Sequence, residues 1–427
     1  EFIENMDARI SGWTGLNRQQ GEVYLAEARA LRALFYFELV RWYGNVPLIT
    51  STAQSAWGAG EYEQADPVDV YKFIEADLLA ASQALPWAID DQVRTNTAYR
   101  MSRGSALGLL AKVYCTWAGY PIQDTSKWAE AAKVARQVVE SGKHSLIPDY
   151  ETVWYNTCNA VWNPSESLIE VSFYSPTSLD PDQTAGRIGK WNGVVADAVD
   201  GLRGRNAGNW KVVYPFTEKW EKQNDPRCAL SIADYRYTGN SEPQKLVTAT
   251  MTEANANRQR QNFTPAKWDL EKYTNAANKI INNDKSNANW YILRYSDVLL
   301  LFAEALNESN GSLSDAIDAV NAVRTRGFGN TYHNLPYSLS REELREAIRD
   351  ERAYELCFEG HRKQDLIRWG IYYDTIRETA QKVVDWYPTG NYTVAQFTIK
   401  GRHELLPIPQ RDLDLMTKCH QNPGWGE

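Results

Sequence analysis

One helix pattern recurs along this chain, and the recurrence limits the possible folds more than any other feature. Residues 26–49 carry small and aromatic side chains at helical spacing; the pattern stops at Gly44, and Pro47 bars its continuation. Similar stripes occupy residues 102–118 and 293–306. Because small residues let a second helix approach closely, the recurrence predicts helical hairpins stacked into an array. The first stripe consists of Ala26, Ala30, Ala33 and Phe37.

Helix start and stop signals divide the periodic segments into hairpins. Asp66 followed by Pro67 marks one helix start, and Ser340 with Glu343 forms a capping box at another. Gly360 separates the last two helices. The sequence therefore predicts a mostly α-helical fold in which four helical hairpins form the scaffold. The paired helices are expected at 22–43 with 67–84, 102–118 with 126–141, 291–308 with 312–326, and 340–358 with 361–379.

The segment between the second and third hairpins has a different composition. It is rich in Gly, Asn, Pro, Trp and Tyr, with a clear strand candidate at 168–174, weaker ones around 228–238, and a helix candidate at 211–222. We expect an irregular, loop-rich subdomain with short strands, inserted into the array. The chain is then a single domain over 1–427, divided into 22–142 (two hairpins), 143–289 (insert), 290–379 (two hairpins) and 380–427 (C-terminal loop segment).

The composition argues against several classes of function. Lys and Arg number 46 and Asp and Glu 54, the formal net charge is -8, and no basic block suggests a nucleic-acid partner. The five cysteines are widely spaced, so neither a disulfide framework nor a zinc site is expected. The five histidines are isolated, and no motif indicates a metal or another cofactor. No apolar run is long enough to span a membrane.

A series of segments, taken in chain order, carries motifs that specify a family. They are AEARALRALFYFELVRWYGNVPL (26–48), RMSRGSALGLLAKVYCTWAG (100–119), NPSESLIEVSF (163–173), WYILRYSDVLLLFAEALNE (290–308), LREAIRDERAYELCFEGHRKQDLIRWG (344–370) and HELLPIPQRDLDL (403–415). Together they resemble the SusD/RagB family, the surface-exposed nutrient-binding lipoproteins of Bacteroidetes. The resemblance covers nearly the whole chain, and it specifies the family rather than the ligand.

The resemblance implies an architecture and a partner. Tetratricopeptide-like hairpins are expected on one side of the molecule, and loops and inserted segments are expected to make a ligand face on the other. The implied partner is a TonB-dependent outer-membrane transporter of the SusC type, over which the protein sits as a lid at the cell surface. The implied ligand is typically a glycan or, in a minority of members, a peptide.

The chain departs from the family pattern in two respects. The lipidated cysteine and signal peptide expected upstream are absent, and residues 1–10 resemble the last turns of a helix whose beginning is missing. Membrane attachment is therefore expected only through an N-terminal lipid that this chain lacks. Lys363 and Gln364 stand where the family usually has an aromatic pair. Because that position belongs to a structural hairpin, we expect the change to leave the ligand face intact.

Aromatic side chains in polar loops are the candidate ligand contacts. The chain holds 16 Trp and 24 Tyr, and many lie in Gly- and Asn-rich surroundings. The C–H face of a sugar ring can lie flat on an aromatic ring, while amide and charged side chains bond its hydroxyls. The alternative, for each ring, is that it pins its own loop to the scaffold. The predicted ligand-binding residues are Trp57, Tyr62, Trp191, Asn192, Trp210, Tyr237 and Trp268, with Asn209 and Arg260 as further polar partners.

Charged residues on the third and fourth hairpins offer an enzymatic alternative. Their spacing of three or four residues is typical of structural ion pairs, and no signature selects the two facing carboxylates that a glycosidase needs. We therefore predict a non-catalytic surface protein that binds oligo- or polysaccharide and delivers it to a transporter. A peptide-capturing lid, a glycoside hydrolase and a purely structural lid are the alternatives. The charged residues are Arg294, Asp297, Glu304, Glu351, Arg352, Glu359, Arg362 and Asp365.

Overall fold

A computed structural model describes residues 1–55, 58–175, 185–240, 242–389 and 392–426. Helices dominate these residues and the strands are short, which confirms the predicted mostly α-helical fold. The α-helices are α1 (Phe2–Arg9), α2 (Gly15–Tyr43), α3 (Thr52–Ser55), α4 (Pro67–Ala84), α5 (Arg103–Ala118), α6 (Lys127–Val139), α7 (Tyr150–Cys158), α8 (Tyr214–Glu221), α9 (Pro226–Ser231), α10 (Glu253–Arg260), α11 (Leu270–Tyr273), α12 (Tyr295–Glu308), α13 (Leu313–Phe328), α14 (Arg341–Glu355), α15 (Arg362–Arg368), α16 (Tyr372–Trp386), α17 (Thr393–Phe397) and α18 (Gln410–Leu415).

The first two hairpins form close to where the sequence predicts them, although α2 begins at Gly15 rather than at residue 22. Helix α2 packs along α4, and α5 packs against both α4 and α6. The small-residue stripe of α2 is buried, with Ala30 and Phe37 almost wholly inaccessible. Gly44 ends α2 in a backbone conformation with φ of +68°. At the start of α4, the Asp66 carboxylate accepts the Val68 amide at 2.8 Å, so the predicted cap is present.

Helix α12 joins the two halves of the scaffold. It packs against α5, α6, α13 and α14, and every one of its residues from Tyr295 to Asn307 is buried. A helix that is covered on all sides can keep charged side chains only if they are paired, and Asp297 and Glu304 of α12 pair with Arg352 and Arg368. One continuous apolar core therefore runs from the first hairpin to α14.

Two predicted helix boundaries in the second half are wrong. The helix expected from residue 291 begins at Tyr295, because Trp290–Arg294 form a strand that pairs antiparallel with Ser167–Val171. Aromatic and β-branched side chains suit a strand once a partner strand is available. The helix expected over 361–379 is divided into α15 and α16 at Gly370, whose left-handed φ of +71° ends the first of them.

The insert contains more helix than the sequence pattern predicts. The expected helix at 211–222 is observed as α8, but α7, α9, α10 and α11 also lie in this region. These helices are short and begin with polar caps, so they leave little periodic signal. The predicted C-terminal loop segment likewise contains α17 and α18. The described strands form four antiparallel pairs, β1 (Val46–Pro47) with β2 (Gln64–Ala65), β3 (Ser167–Val171) with β8 (Trp290–Arg294), β4 (Ile232–Ala233) with β7 (Thr264–Pro265), and β5 (Tyr235–Arg236) with β6 (Gln244–Lys245).

Charged residues of the third and fourth hairpins form a buried ion network. Arg294 Nε donates to Glu359 Oε2 at 2.7 Å, and Arg294 Nη1 donates to Glu355 Oε1 at 2.9 Å. Arg352 Nη1 donates to Asp297 Oδ1 at 2.8 Å. Burial alone would raise the pKa of Glu355, but the surrounding guanidiniums hold it well below its usual range. The prediction of structural ion pairs is confirmed for these residues, but the spacing on which it rested is wrong for them, because their partners lie on separate elements.

Candidate ligand-binding face

Trp191 projects from the insert with the edge of its ring held in place. The indole Nε1 donates to Asp284 Oδ1 at 2.6 Å, and the second carboxylate oxygen pairs with Arg187 Nη2 at 2.9 Å. Trp191 is nevertheless 43% exposed. The hydrogen bond fixes the orientation of the ring while part of its surface stays open to solvent. A ligand that stacks on this ring would meet an aromatic group already ordered.

A tight turn at residues 189–192 sets the direction of Trp191. Asn192 Oδ1 accepts the Gly189 amide at 2.7 Å, and Gly189 has a left-handed φ of +82°. Lys190 and Asn192 are both buried, so Trp191 is the exposed member of the three. Burial lowers the pKa of Lys190 to about 8. The side chain of Asn192 stabilises the turn, and its contact with a ligand stays a prediction.

Trp210 directly follows residues 207–209, and these residues form backbone hydrogen bonds with the segment that carries Trp191. The Asn209 amide donates to the Trp191 carbonyl at 2.7 Å, and the Ala207 amide donates to the Lys190 carbonyl at 2.6 Å. Trp210 is 48% exposed. Two of the predicted tryptophans therefore belong to neighbouring segments, and each exposes close to half of its surface.

Sequence reasoning missed the polar partners of this surface. Arg187 precedes Trp191 in the chain, and Asp284 follows Trp191 by 93 residues. No local sequence pattern therefore links these three residues. The carboxylate can accept hydrogen bonds from hydroxyls and the guanidinium can donate them. Together, Arg187, Trp191, Trp210 and Asp284 are called here the tryptophan platform.

Tyr237 and Trp268, which the sequence predicts as ligand contacts, lie in the interior of the fold. Trp268 is 1% exposed, stacks on Trp290 with ring centroids 5.0 Å apart, and meets Trp154 edge-on at 5.8 Å. Tyr237 is 8% exposed, and its hydroxyl donates to Asp269 Oδ2 at 3.0 Å. These contacts favour the alternative role of pinning loops to a core, and a ligand contact of either ring stays a prediction.

Tyr62 belongs to a different part of the surface. It is half-buried, and its hydroxyl donates to the Gln54 carbonyl at 3.2 Å. With Glu61 and Lys418, which pair at 3.2 Å, it lines a cavity of about 410 Å³. None of the platform residues lines this cavity. Trp57, predicted from the same loop, lies outside the described residues, so its role stays a prediction.

Of the two further polar candidates, Asn209 adjoins the platform and Arg260 is engaged elsewhere. Asn209 is exposed on the segment that pairs with Trp191. Arg260, on α10, donates to Glu253 and Asn257, and its guanidinium lies 5.0 Å from the ring centroid of Tyr214. The guanidinium of Arg260 is therefore committed to contacts within the fold.

Metal and thiol chemistry find no support in the described part of the chain. Within it, no three His, Cys, Asp or Glu side chains are grouped so that they could hold a metal ion. The five cysteines are free and buried, and burial raises the pKa of Cys357 to about 11. A thiol with so high a pKa is a poor nucleophile at neutral pH. No helix among the described residues has the length and apolar character needed to cross a bilayer.

Several proteins of known structure or sequence are similar to this chain. A SusD homolog from Bacteroides thetaiotaomicron matches with a TM-score of 0.94 and 52% identity, over 99% of this chain and 82% of that chain. A laminarin-binding SusD-like protein matches with a TM-score of 0.65 and 27% identity, over 95% of this chain and 80% of its own. SusD-like protein P25 from Formosa agariphila is 26% identical, over 92% of this chain and 70% of its own length.

Two family models match complementary parts of the sequence. A model described as starch-binding associating with outer membrane matches residues 13–115, which hold the first hairpin and most of α5. The model of the SusD family matches residues 140–425, which hold the insert with the tryptophan platform and the second half of the scaffold. The chain belongs to the SusD family.

Proposed function

We propose that this protein binds a glycan without transforming it, and that the tryptophan platform is the contact surface. The observation that carries the proposal is Trp191, an exposed ring whose edge is anchored by Asp284 while Asp284 pairs with Arg187. This arrangement combines an open aromatic face with a carboxylate and a guanidinium near its rim. The laminarin-binding relative, at 27% identity, supports a glycan as the ligand class.

Sugar chemistry fits this arrangement. The C–H face of a pyranose is apolar and slightly positive, and it is attracted to the negative face of an indole. Hydroxyls at the ring edge can donate to a carboxylate and accept from a guanidinium. Each stack contributes about 0.5–1.5 kcal/mol beyond the burial of its area. Two stacks with a few hydrogen bonds suit a dissociation constant between about 1 mM and 1 μM, which corresponds to roughly 4–8 kcal/mol.

The platform favours binding over hydrolysis. Glycosidases use two carboxyl groups that face each other across the scissile bond. The carboxylate of the platform, Asp284, already accepts from Trp191 and Arg187, so it is not held free as a proton donor. The acidic residues singled out on the third and fourth hairpins, such as Asp297 and Glu359, are buried in ion pairs within the scaffold. We therefore infer a carrier that releases the glycan unchanged.

The proposed place of this carrier is the cell surface, where it would pass glycan to a TonB-dependent outer-membrane transporter. Support comes from the family model that matches residues 13–115, whose description combines starch binding with association at the outer membrane. Millimolar to micromolar binding suits that role, because a captured ligand must be released quickly to the transporter. Attachment would be through a lipid upstream of the residues in this chain.

Isothermal titration with a panel of oligosaccharides, laminarin-derived ones included, tests the proposal. We expect Trp191→Ala to weaken the binding of the best oligosaccharide at least tenfold, or by about 1.4 kcal/mol. The matched control is Tyr332→Ala, which removes a ring that is 92% exposed on another part of the surface. Binding of a peptide panel with no binding of any oligosaccharide would instead identify a peptide-capturing lid.

A further inference from the structure

The segments that carry the tryptophan platform are positively charged, although the chain as a whole is acidic. The formal net charge of the chain is -8. Residues 185–211, which hold Trp191 and Trp210, contain five Lys and Arg but two Asp and no Glu, so their formal charge is +3. A surface of one sign raises the local concentration of ligands of the opposite sign. The five cations are Arg187, Lys190, Arg203, Arg205 and Lys211.

Two of the five cations are engaged within the fold. Arg187 Nη2 lies 2.9 Å from Asp284 Oδ2, so the charge of this platform carboxylate is balanced. Arg203 is 6% exposed, and its guanidinium donates to the backbone carbonyls of Asp197 and Gly239. The charge that remains for a ligand is therefore carried by the other three cations.

Arg205 brings a guanidinium without a paired countercharge to the edge of the platform. Its backbone amide donates to Asn283 Oδ1 at 2.7 Å, so Arg205 lies beside the residue that precedes Asp284. Arg205 is exposed, and among the described residues no ion pair or side-chain hydrogen bond engages its guanidinium. Because Asp284 also anchors Trp191, the Arg205 backbone and the Trp191 ring meet the same turn.

Asp197 is the carboxylate that could cancel the charge of Arg205. The bridge between Ala196 and Asn206 places Asp197 opposite Arg205 in the hairpin, and both residues are exposed. No ion pair joins these two side chains, although both lie in the described part of the chain. An exposed pair of this kind would contribute only about 0–1 kcal/mol if it formed, so the guanidinium stays available to a ligand.

Two lysines add to the charge beside the tryptophans. Lys211 directly follows Trp210 and is exposed, while Lys190 directly precedes Trp191 and is 3% exposed. Neither ammonium has an ion pair or a hydrogen bond within the residues described. Partial burial lowers the pKa of Lys211, and no carboxylate opposes this effect. An anion bound beside these lysines would favour their charged forms.

We propose that the tryptophan platform selects glycans whose sugar rings carry a carboxylate or a sulfate group, and that Arg205 and Lys211 make this selection. The inference rests on the glycan binding proposed above. The planar guanidinium of an arginine matches the paired oxygens of a carboxylate or sulfate, and an ammonium attracts either group as a point charge. A charged substituent leaves the C–H face of the sugar ring free to stack on Trp191.

The exposure of these cations sets the size of the expected preference. Pairs between groups in contact with water are each worth about 0–1 kcal/mol and are screened by salt. Two such contacts suit a preference of about tenfold, or about 1.4 kcal/mol, for an anionic glycan over its neutral counterpart. The preference should also shrink as the ionic strength rises, whereas stacking on the tryptophans should be nearly unaffected.

Calorimetry of the full chain with matched pairs of oligosaccharides tests this proposal. One arm compares oligogalacturonates and hyaluronan oligosaccharides with their carboxyl-reduced forms, and the other compares sulfated carrageenan oligosaccharides with their desulfated forms. We expect at least one anionic member to bind about tenfold more tightly than its neutral counterpart at about 20 mM NaCl, and less so at about 300 mM. The arm that shows the preference identifies the charged group.

Two variants assign the preference to residues. Arg205→Gln and Lys211→Gln should each weaken the preferred anionic oligosaccharide about threefold, and together about tenfold, without changing the affinity of its neutral counterpart. Both side chains are exposed, so the folded state should tolerate these changes. The matched control is Arg411→Gln, which removes an exposed guanidinium from α18 and should change neither affinity.

The possible outcomes separate this inference from the proposed function. Equal affinities for the two members of every pair that binds would overturn the selection of anionic glycans while leaving glycan binding in place. A preference that survives in the double variant would overturn the roles of Arg205 and Lys211. No binding of any oligosaccharide, neutral or anionic, would overturn the proposed function and this inference with it.

Discussion

Trp191 and Asp284 are separated by 93 residues in the chain, and the indole Nε1 of the first lies 2.6 Å from a carboxylate oxygen of the second. The contact orders a side chain that is still 43% exposed. Immobilising a free side chain on binding costs about 0.5–1.5 kcal/mol. Since the fold has already ordered this ring, a ligand that stacks on it avoids most of that cost.

Loss of the anchor should weaken glycan binding less than loss of the ring itself. Asp284→Ala frees the indole to rotate and leaves Arg187 unpaired, so we expect a three- to tenfold lower affinity, about 0.7–1.4 kcal/mol. Calorimetry with the oligosaccharide that binds best provides the measurement. Glu218→Ala, which removes an exposed carboxylate paired with Lys222, serves as the control. An unchanged affinity in Asp284→Ala would show that the orientation of the ring is unimportant.

Trp268 should matter for stability and Trp191 should not. Trp268 is enclosed by Trp154 and Trp290, so Trp268→Ala creates a large cavity and should lower the free energy of unfolding by about 3–5 kcal/mol. Trp191→Ala removes a half-exposed ring, so its effect should stay below about 1 kcal/mol. Denaturant titration of both variants compares them. Equal losses would mean that the platform is a structural element of the fold.

The periodic parts of the chain could be predicted from the sequence because their burial is decided locally. The spacing of Ala30 and Phe37 identifies the face of α2 that packs on α4 without any information about distant segments. The strand Trp290–Arg294 escaped prediction because its state depends on Ser167–Val171, a partner more than a hundred residues away. In a helical context the same side chains continue the periodic pattern of α12.

The candidate site was predictable only in part, for the same physical reason. Gly- and Asn-rich surroundings correctly marked Trp191 and Trp210 as surface tryptophans. They did not separate these rings from Trp268, whose burial depends on rings contributed by distant segments. Asp284 carries no local signal at all, because its role follows from a contact made only in the folded chain.

A buried carboxyl on β3 should make stability depend on pH. Glu170 accepts hydrogen bonds from Ser167 Oγ at 2.7 Å and Asn289 Nδ2 at 2.8 Å. Burial raises its pKa from 4.5 to about 7, so the folded protein binds this proton more tightly than the unfolded chain does. The free energy of unfolding therefore contains a contribution that is present at low pH and is lost as the pH rises towards and through about 7.

Replacing the carboxyl by an amide should remove this dependence. Glu170→Gln cannot ionise. The free energy of unfolding of the variant minus that of the unmodified protein should therefore increase between about pH 5 and pH 8. Urea titrations at several pH values measure this difference. A difference that stays constant over the range would contradict an elevated pKa for Glu170.

The buried ion network should be far more sensitive to substitution than surface pairs. Glu355 accepts from Arg227 and Arg294, each at 2.9 Å, so Glu355→Gln removes one of the carboxylates that neutralise these buried guanidiniums. We expect a loss of about 3–5 kcal/mol in the free energy of unfolding. Glu22→Gln, which weakens an exposed pair with Arg18, should change it by less than about 0.5 kcal/mol. Denaturant titration checks both, and similar small effects would contradict the structural role of the network.

The most direct test of the proposed function follows the indole N–H signals of the tryptophans by ¹⁵N–¹H NMR during titration with the oligosaccharide that binds best. Trp191→Phe, Trp210→Phe and Trp268→Phe assign the three signals by their disappearance. The tryptophan platform predicts that the Trp191 and Trp210 signals shift with the saturation of the glycan while the Trp268 signal stays in place. Glycan saturation with unchanged Trp191 and Trp210 signals would contradict the platform as the binding surface.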